Sequence, residues 1–158
     1  MSGNPETSEK ITARKALPQT RHVDTEAEVK VCYELMRQLR PQLASAQDFV
    51  ERWRRQATEG YRLLAIWQQS KPVAIAGYRV QNSLMHGKHL YVDDLVTEET
   101  HRSRGFGSVL MERLTAEGRT CGCGKLVLDT ALANTLAHRF YYRQGLLATA
   151  LRFNVPIV

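Results

Sequence analysis

The spacing of apolar positions changes character along this chain, and the change separates a helical opening from a sheet-forming middle. Val31, Leu35 and Leu39 recur at four-residue intervals. Asp24 stands ahead of them as the expected N-cap, with Glu26 and Glu28 in the first turn, where the helix dipole favours acids. Pro41 ends the run. A second helix is predicted over Ala46–Thr58, with Phe49 and Trp53 on one face and Gly60 beyond it. From Tyr61 the pattern becomes that of strands. Tyr61–Gln68 and Val73–Gln81 are rich in aliphatic and aromatic residues and flank Ser70-Lys71-Pro72, which predicts an antiparallel hairpin. After the turn signal His86-Gly87, Lys88–Thr97 forms a third strand. Arg104–Arg119 returns to helical spacing, with Val109, Leu110, Met111 and Leu114 as its apolar stripe, and Gly122 and Gly124 break it. A short strand over Lys125–Asp129, a helix over Ala133–Arg143 closed by Gly145 in the left-handed conformation, and a final strand over Leu147–Val155 complete the pattern. An additional weak strand is expected within Ile11–Ala16 or Gln19–Val23.

This order predicts an α+β (mixed α/β) fold. An antiparallel meander is followed by a strand–helix–strand unit, which normally makes a parallel pair. The expected product is a central mixed, mostly antiparallel sheet of six to seven strands with four helices on its faces. Residues 1–10 read as a disordered polar tail and 11–158 as one domain, in keeping with a length of 158 residues. Hydrophobic residues at 43% and charged residues at 24% are enough apolar material for a core and exclude global disorder. No stretch approaches the roughly 18–20 apolar residues of a membrane span, and Met1–Lys10 lacks the apolar centre of a secretory signal, so a cytoplasmic location and no membrane partner are expected. Cys32, Cys121 and Cys123 are too few, and odd in number, for a disulfide framework. Neither Cys121-Gly122-Cys123 nor Asp93-Asp94 with His86 and His89 has the spacing of a metal site, so no metal is expected.

The net charge of +6 points to an anionic ligand without choosing one. The junction after the third strand narrows the choice. There a short polar loop runs into Arg102-x-x-Gly105-x-Gly107 at the start of a helix. Paired glycines admit close backbone approach, the first amides of the helix are unpaired and partly positive, and Arg102 and Arg104 add fork-shaped donors. Together they suit a pyrophosphate. A dinucleotide fingerprint fits less well, because position 110 is Leu where a third glycine is required.

Arg102-x-x-Gly105-x-Gly107 after a strand resembles the acyl-CoA-binding motif of the GCN5-related N-acetyltransferase (GNAT) superfamily. Downstream, Asn134-x-x-Ala137-x-x-Phe140-Tyr141-x-x-x-Gly145 resembles the later segment of that family, although Leu146 replaces its usual aromatic. The resemblance covers roughly Tyr61 to Phe153. It implies an acyl-CoA N-acyltransferase fold and acetyl-CoA as co-substrate. The backbone of Arg102, Ser103, Arg104, Gly105, Phe106, Gly107 and Ser108 would cradle the pyrophosphate. Main-chain groups of Leu95, Val96 and Thr97 would pair with the pantetheine arm and polarise the thioester carbonyl. Asn134 and Tyr141 are seven apart and share a helix face with the small Ala137 between them, and with Phe140 they complete the implied cofactor-binding set.

The implied reaction is attack of a primary amine, from a small molecule or a peptide, on the acetyl thioester within a ternary complex. Tyr141 is the candidate acid for the departing thiolate. Asp93 and Asp94 are the candidate bases. Consecutive strand residues point to opposite faces, so one of the two would face the substrate unless a bulge alters the parity. Arg37, Arg40, Arg52, Arg54 and Arg55 would suit an acidic acceptor or would form a solvated helix face. The same motifs fit transfer of a longer acyl chain or a non-catalytic acyl-CoA sensor. A reading of another class, a basic nucleic-acid-binding module, rests on Arg52-Trp53-Arg54-Arg55; no recognised nucleic-acid motif accompanies it, so nucleic acid is not the expected partner. The terminal apolar run Phe153–Val158 raises the option of a strand shared within a homodimer.

Overall fold

The computed structural model describes residues 18–158. The polar tail and the alternative strand at Ile11–Ala16 lie outside them. The elements run β1 (Gln19–Val23), α1 (Glu26–Leu39), α2 (Ala46–Ala57), β2 (Arg62–Gln68), β3 (Lys71–Ser83), β4 (Gly87–Thr97), a single 3-10 turn (Glu99–His101), α3 (Phe106–Thr120), β5 (Lys125–Leu128) and α4 (Thr135–Arg143). The strands form one sheet in the order β1-β2-β3-β4-β5, antiparallel except for the parallel β4–β5 pair. This is the expected mixed α+β architecture with four helices.

Two apolar layers sandwich the sheet. Val29, Cys32, Leu35 and Met36 of α1 and Phe49 and Val50 of α2 cover one face. Leu110, Met111 and Leu114 of α3, with Phe140 of α4, cover the other. β2 reads as an unbroken apolar run because it is buried on both sides. Leu63, Ala65 and Trp67 join the first layer, and Leu64 and Ile66 join the second.

Several expectations are corrected. The sheet has five strands among the described residues, because Leu147–Val155 forms none. Its alternation is that of a strand, yet Leu147, Leu151, Phe153 and Val155 are all exposed. A strand is realised only against a partner ladder, and among the described residues this segment meets none. The cap of α1 is Thr25 rather than Asp24. Its hydroxyl accepts from Glu28 N while the Glu28 carboxylate accepts from the Thr25 amide, a reciprocal box that Asp24 is one residue too early to make. The hairpin turn falls at Gln69-Ser70, with Gln69 at φ 58°, and Lys71 and Pro72 are already in β3. α3 starts at Phe106 because Ser103 and Gly105 both have positive φ, which no helix tolerates. Val31 and Val109 are exposed and do not belong to the apolar faces of α1 and α3; Val29, Cys32, Leu35 and Met36 form that of α1. Gly145 has the expected left-handed backbone, φ 82°.

Candidate active site

The register of β3 against β4 slips by one residue at the centre of the sheet. Gly77 pairs with Asp94 and the next residue, Tyr78, pairs with Val92, so Asp93 is extra. The bulge reverses the parity of β4. Leu90 and Val92 pack toward α3, whereas Val96 packs toward α1 and α2. Tyr91, Asp93 and Asp94 consequently all line one cavity on the α1–α2 side, about 270 Å³ in volume. Strict alternation would have separated the two carboxylates; the bulge brings them together.

Their surroundings differ. Asp94 has both oxygens engaged. Oδ1 accepts from Arg40 Nε at 2.7 Å, and Oδ2 accepts from the buried Tyr61 hydroxyl at 2.6 Å. Arg40 also donates through Nη2 to the Asp93 carbonyl at 2.7 Å, which pins the bulge. Burial and the Asp94 charge hold the Tyr61 hydroxyl well above its ordinary pKa, so it stays a donor. Asp93 accepts through Oδ2 from Arg79 Nε at 2.9 Å, and Oδ1 has no such partner among the described residues. Burial raises the Asp93 carboxyl above the usual carboxylate range, against the pull of the Arg79 guanidinium. Arg79 is itself fixed by Gln56 Oε1 at 2.9 Å and lies 5.3 Å over the Tyr61 ring.

On the far side, β4 is hydrogen-bonded to β5 only from His89 to Val92. From Asp93 to Thr97 that edge has no partner strand among the described residues, so the main chain of Leu95, Val96 and Thr97 is available to an extended ligand. The chain then passes through the 3-10 turn to the N-terminus of α3. Gly105 caps α3 at φ 81° and has no side chain to satisfy the first amides. Arg102, Ser103 and Arg104 are exposed, and neither arginine forms an ion pair among the described residues. Gly107 has a different task. A Cβ there would meet the Phe140 ring at 3.0 Å, so this glycine lets α4 approach α3. The same contact is tied by Gln144 Nε2 donating to Ser108 Oγ at 2.9 Å.

α4 carries the remaining candidates. Asn134 caps it, accepting from Ala137 N at 3.1 Å. Phe140 packs into the layer beneath α3 and stands 5.4 Å from the Tyr141 ring, edge to face. Burial alone pushes the Tyr141 hydroxyl above its ordinary pKa, with no charge or hydrogen bond contributing. Tyr141 is therefore a protonated donor at neutral pH.

Sequence reasoning missed Tyr61, Gly77, Arg79, Gln56 and Arg152, all of which support the cavity or line it. Gly77 alone gave a signal. A glycine inside an apolar strand marks a bulge or a close approach, and a Cβ there would lie 2.0 Å from Tyr61 Oη and 2.6 Å from Asp94 Oδ2. Of the arginines singled out, Arg40 and Arg52 line the cavity. Arg54 pairs with Glu26, and Trp53 packs against the core, so the Arg52–Arg55 run offers no free stacking platform. Among the described residues no three His, Cys, Asp or Glu side chains cluster as a metal site would, and no helix is long and apolar enough to cross a membrane.

The sequence profile of the Acetyltransferase (GNAT) family matches residues 29–146. The chain is 32% identical over 100 residues to the uncharacterized N-acetyltransferase YhdJ of Bacillus subtilis (strain 168), covering 63% of this chain and 70% of that protein. It is 25% identical over 114 residues to glucosamine 6-phosphate N-acetyltransferase 1 of Dictyostelium discoideum, covering 68% and 71%. The fold superposes on the aminoglycoside N-acetyltransferase AAC(6')-Iy, solved in complex with CoA, with a TM-score of 0.81 at 14% identity over 93% of this chain and 99% of that one. A family profile spanning α1 through α4, over a fold and a strand–loop–helix junction of the matching kind, establishes that this chain belongs to the GNAT family and is an acyltransferase.

Proposed function

We propose that the protein transfers an acetyl group from acetyl-CoA to a primary amine by direct attack in a ternary complex. The observation that carries this reading is the arrangement of β4. Among the described residues, one edge of the strand is open beside a glycine-capped helix N-terminus whose two arginines form no ion pair, and its bulge sets Asp93 and Asp94 in a cavity on the α1–α2 side. The residues present fit the co-substrate. Arg102, Arg104 and the amides of Ser103 to Ser108 would hold its pyrophosphate. The open main chain of Leu95, Val96 and Thr97 would pair with the pantetheine arm, and Asn134, Ala137, Phe140 and Tyr141 would flank it. Acetyl-CoA supplies the activated acyl group.

Asp93 is the base in this reading. Its free Oδ1 accepts a proton from the ammonium form of the acceptor, directly or through water, and the amine then attacks the thioester carbon. A carboxyl raised by burial is a better base near neutral pH than an ordinary one. Asp94, with both oxygens occupied, positions rather than reacts. As the C–S bond breaks, Tyr141 gives its proton to the departing thiolate, and the second proton that the nitrogen sheds on becoming an amide passes through water to restore the phenol. Support for an amine acceptor comes from the relatives named for glucosamine 6-phosphate and aminoglycosides, both of which carry primary amines.

The test is thiol release from acetyl-CoA in the presence of a panel of primary amines, with mass spectrometry of the acceptor. Amine-dependent release with one added acetyl group per acceptor is expected. Binding of acetyl-CoA with no transfer to any amine would favour a sensor instead.

A further inference from the structure

Among the described residues, the acceptor cavity is rich in unused donors and poor in unused acceptors. Arg52 spends Nε on Asp48 and keeps both terminal nitrogens. Arg152, from the segment after α4, donates through Nη2 to the Tyr91 hydroxyl at 2.8 Å and pairs with Asp129, and keeps Nε and Nη1. Arg40 keeps Nη1 after serving Asp94 and the Asp93 carbonyl. Gln56 uses its oxygen on Arg79 and keeps its amide nitrogen. Against these, the only unused charged oxygen among the described lining residues is Oδ1 of Asp93. The lining holds three guanidinium groups and two carboxylates, and the carboxylates that steady Arg52 and Arg152 lie outside it.

A ligand that satisfies this set has one ammonium, for Asp93, and an oxygen-rich anion, for the guanidinium forks. The volume of about 270 Å³ is at or below the roughly 300–1,000 Å³ of sites for drug-sized ligands, which favours a small acceptor over a peptide segment. We propose that the acceptor is a small primary amine bearing a carboxylate or phosphate group, held at that anion by Arg52 of α2 and Arg152 of the C-terminal segment. This inference rests on the acetyl-transfer reading for the identity of the reacting end. Its recognition of the anion stands on the cavity itself. Arg152 also gives the segment after α4 a function, since it closes one wall of the site while its apolar residues remain exposed.

The experiment is calorimetric titration of protein saturated with CoA by 2-aminoethyl phosphate, β-alanine and ethanolamine, amines that differ in the anion. At least one anionic member is expected to bind about tenfold or more tightly than ethanolamine, the scale of a charge-assisted contact. Arg52→Gln and Arg152→Gln should each remove most of that advantage and leave CoA affinity unchanged. Which anion wins separates a phosphate from a carboxylate acceptor. Equal binding of ethanolamine, no binding by either anionic member, or indifference to both substitutions overturns the proposal. If CoA itself fails to bind, the transferase reading falls, and the same titrations without CoA decide the anion site by the same criteria.

Discussion

Replacing Gly77 by alanine tests the geometry around the two aspartates through the sign of a stability change. In a strand interior alanine is ordinarily the better residue, by about 0.5–1 kcal/mol. Here the added Cβ would lie 2.0 Å from Tyr61 Oη, 2.6 Å from Tyr61 Cζ and 2.6 Å from Asp94 Oδ2. Tyr61 is enclosed by the α1–α2 layer and cannot swing away cheaply. Overpacking of this kind costs ~1–3 kcal/mol and loss of the Tyr61–Asp94 bond, which ends on a charged acceptor, ~1.5–3 kcal/mol. Less the intrinsic gain, Gly77→Ala should lose ~2–5 kcal/mol, a fall in Tm of about 5–15 °C for a domain of this size. Thermal and urea unfolding of Gly77→Ala, Tyr61→Phe and the double variant would measure it. Tyr61→Phe removes the nearest clashing atom and the hydrogen bond together, so the double variant should be less destabilised than the sum of the singles by ~1.5–3 kcal/mol. A neutral or stabilising Gly77→Ala, or strict additivity, would refute the packing of Gly77 against the Tyr61–Asp94 pair.

Other consequences follow from the same site. Tyr141→Phe should lower kcat by ~10²-fold or more, the usual scale of a lost general acid, while calorimetry shows unchanged acetyl-CoA affinity. Asp93→Asn should abolish the acid limb of the kcat/KM pH profile, which in the wild type should lie above the ordinary carboxylate range because burial raises that group. Arg79 pulls the Asp93 pKa down, so Arg79→Gln should move the limb to still higher pH, and a shift to lower pH would contradict the assignment. Cys32 is fully buried and its thiol is pushed up to about 12, whereas Cys121 and Cys123 are partly exposed. A disulfide reagent should therefore titrate two thiols in the native protein and the third only on unfolding.

The helices were legible because their apolar spacing is mostly local: Leu35, Phe49, Leu110 and Leu114 are buried where the period places them, whereas Val31 and Val109, read into the same rows, are exposed. The glycine loop was legible because Gly105 needs a positive φ that few other residues accept. Errors arose where structure depends on a partner rather than on the local pattern. Leu147–Val155 alternates like a strand, but alternation does not supply a ladder to join. The parity of Asp93 and Asp94 could not be read, since a bulge is a slip of register between strands distant in sequence, and nothing in the residues of β4 announces it. Arg79 and Arg152 look like any surface arginine until the fold brings them to Asp93 and to the cavity. Gly107 was read for the close approach of its backbone to a ligand, and the Phe140 ring against it adds a packing reason for glycine there that no local pattern shows.

Binding of acetyl-CoA at the α3 N-terminus and along the open edge of β4 is measured by calorimetric titration of acetyl-CoA into the wild type and into Arg102→Ala/Arg104→Ala. Both arginines are exposed, so the variant should fold normally. A single site is expected on the wild type and, with two charge-assisted phosphate contacts removed, an affinity lower by ~10²-fold or more in the variant. Absence of binding to the wild type, or equal affinity in the variant, would contradict it.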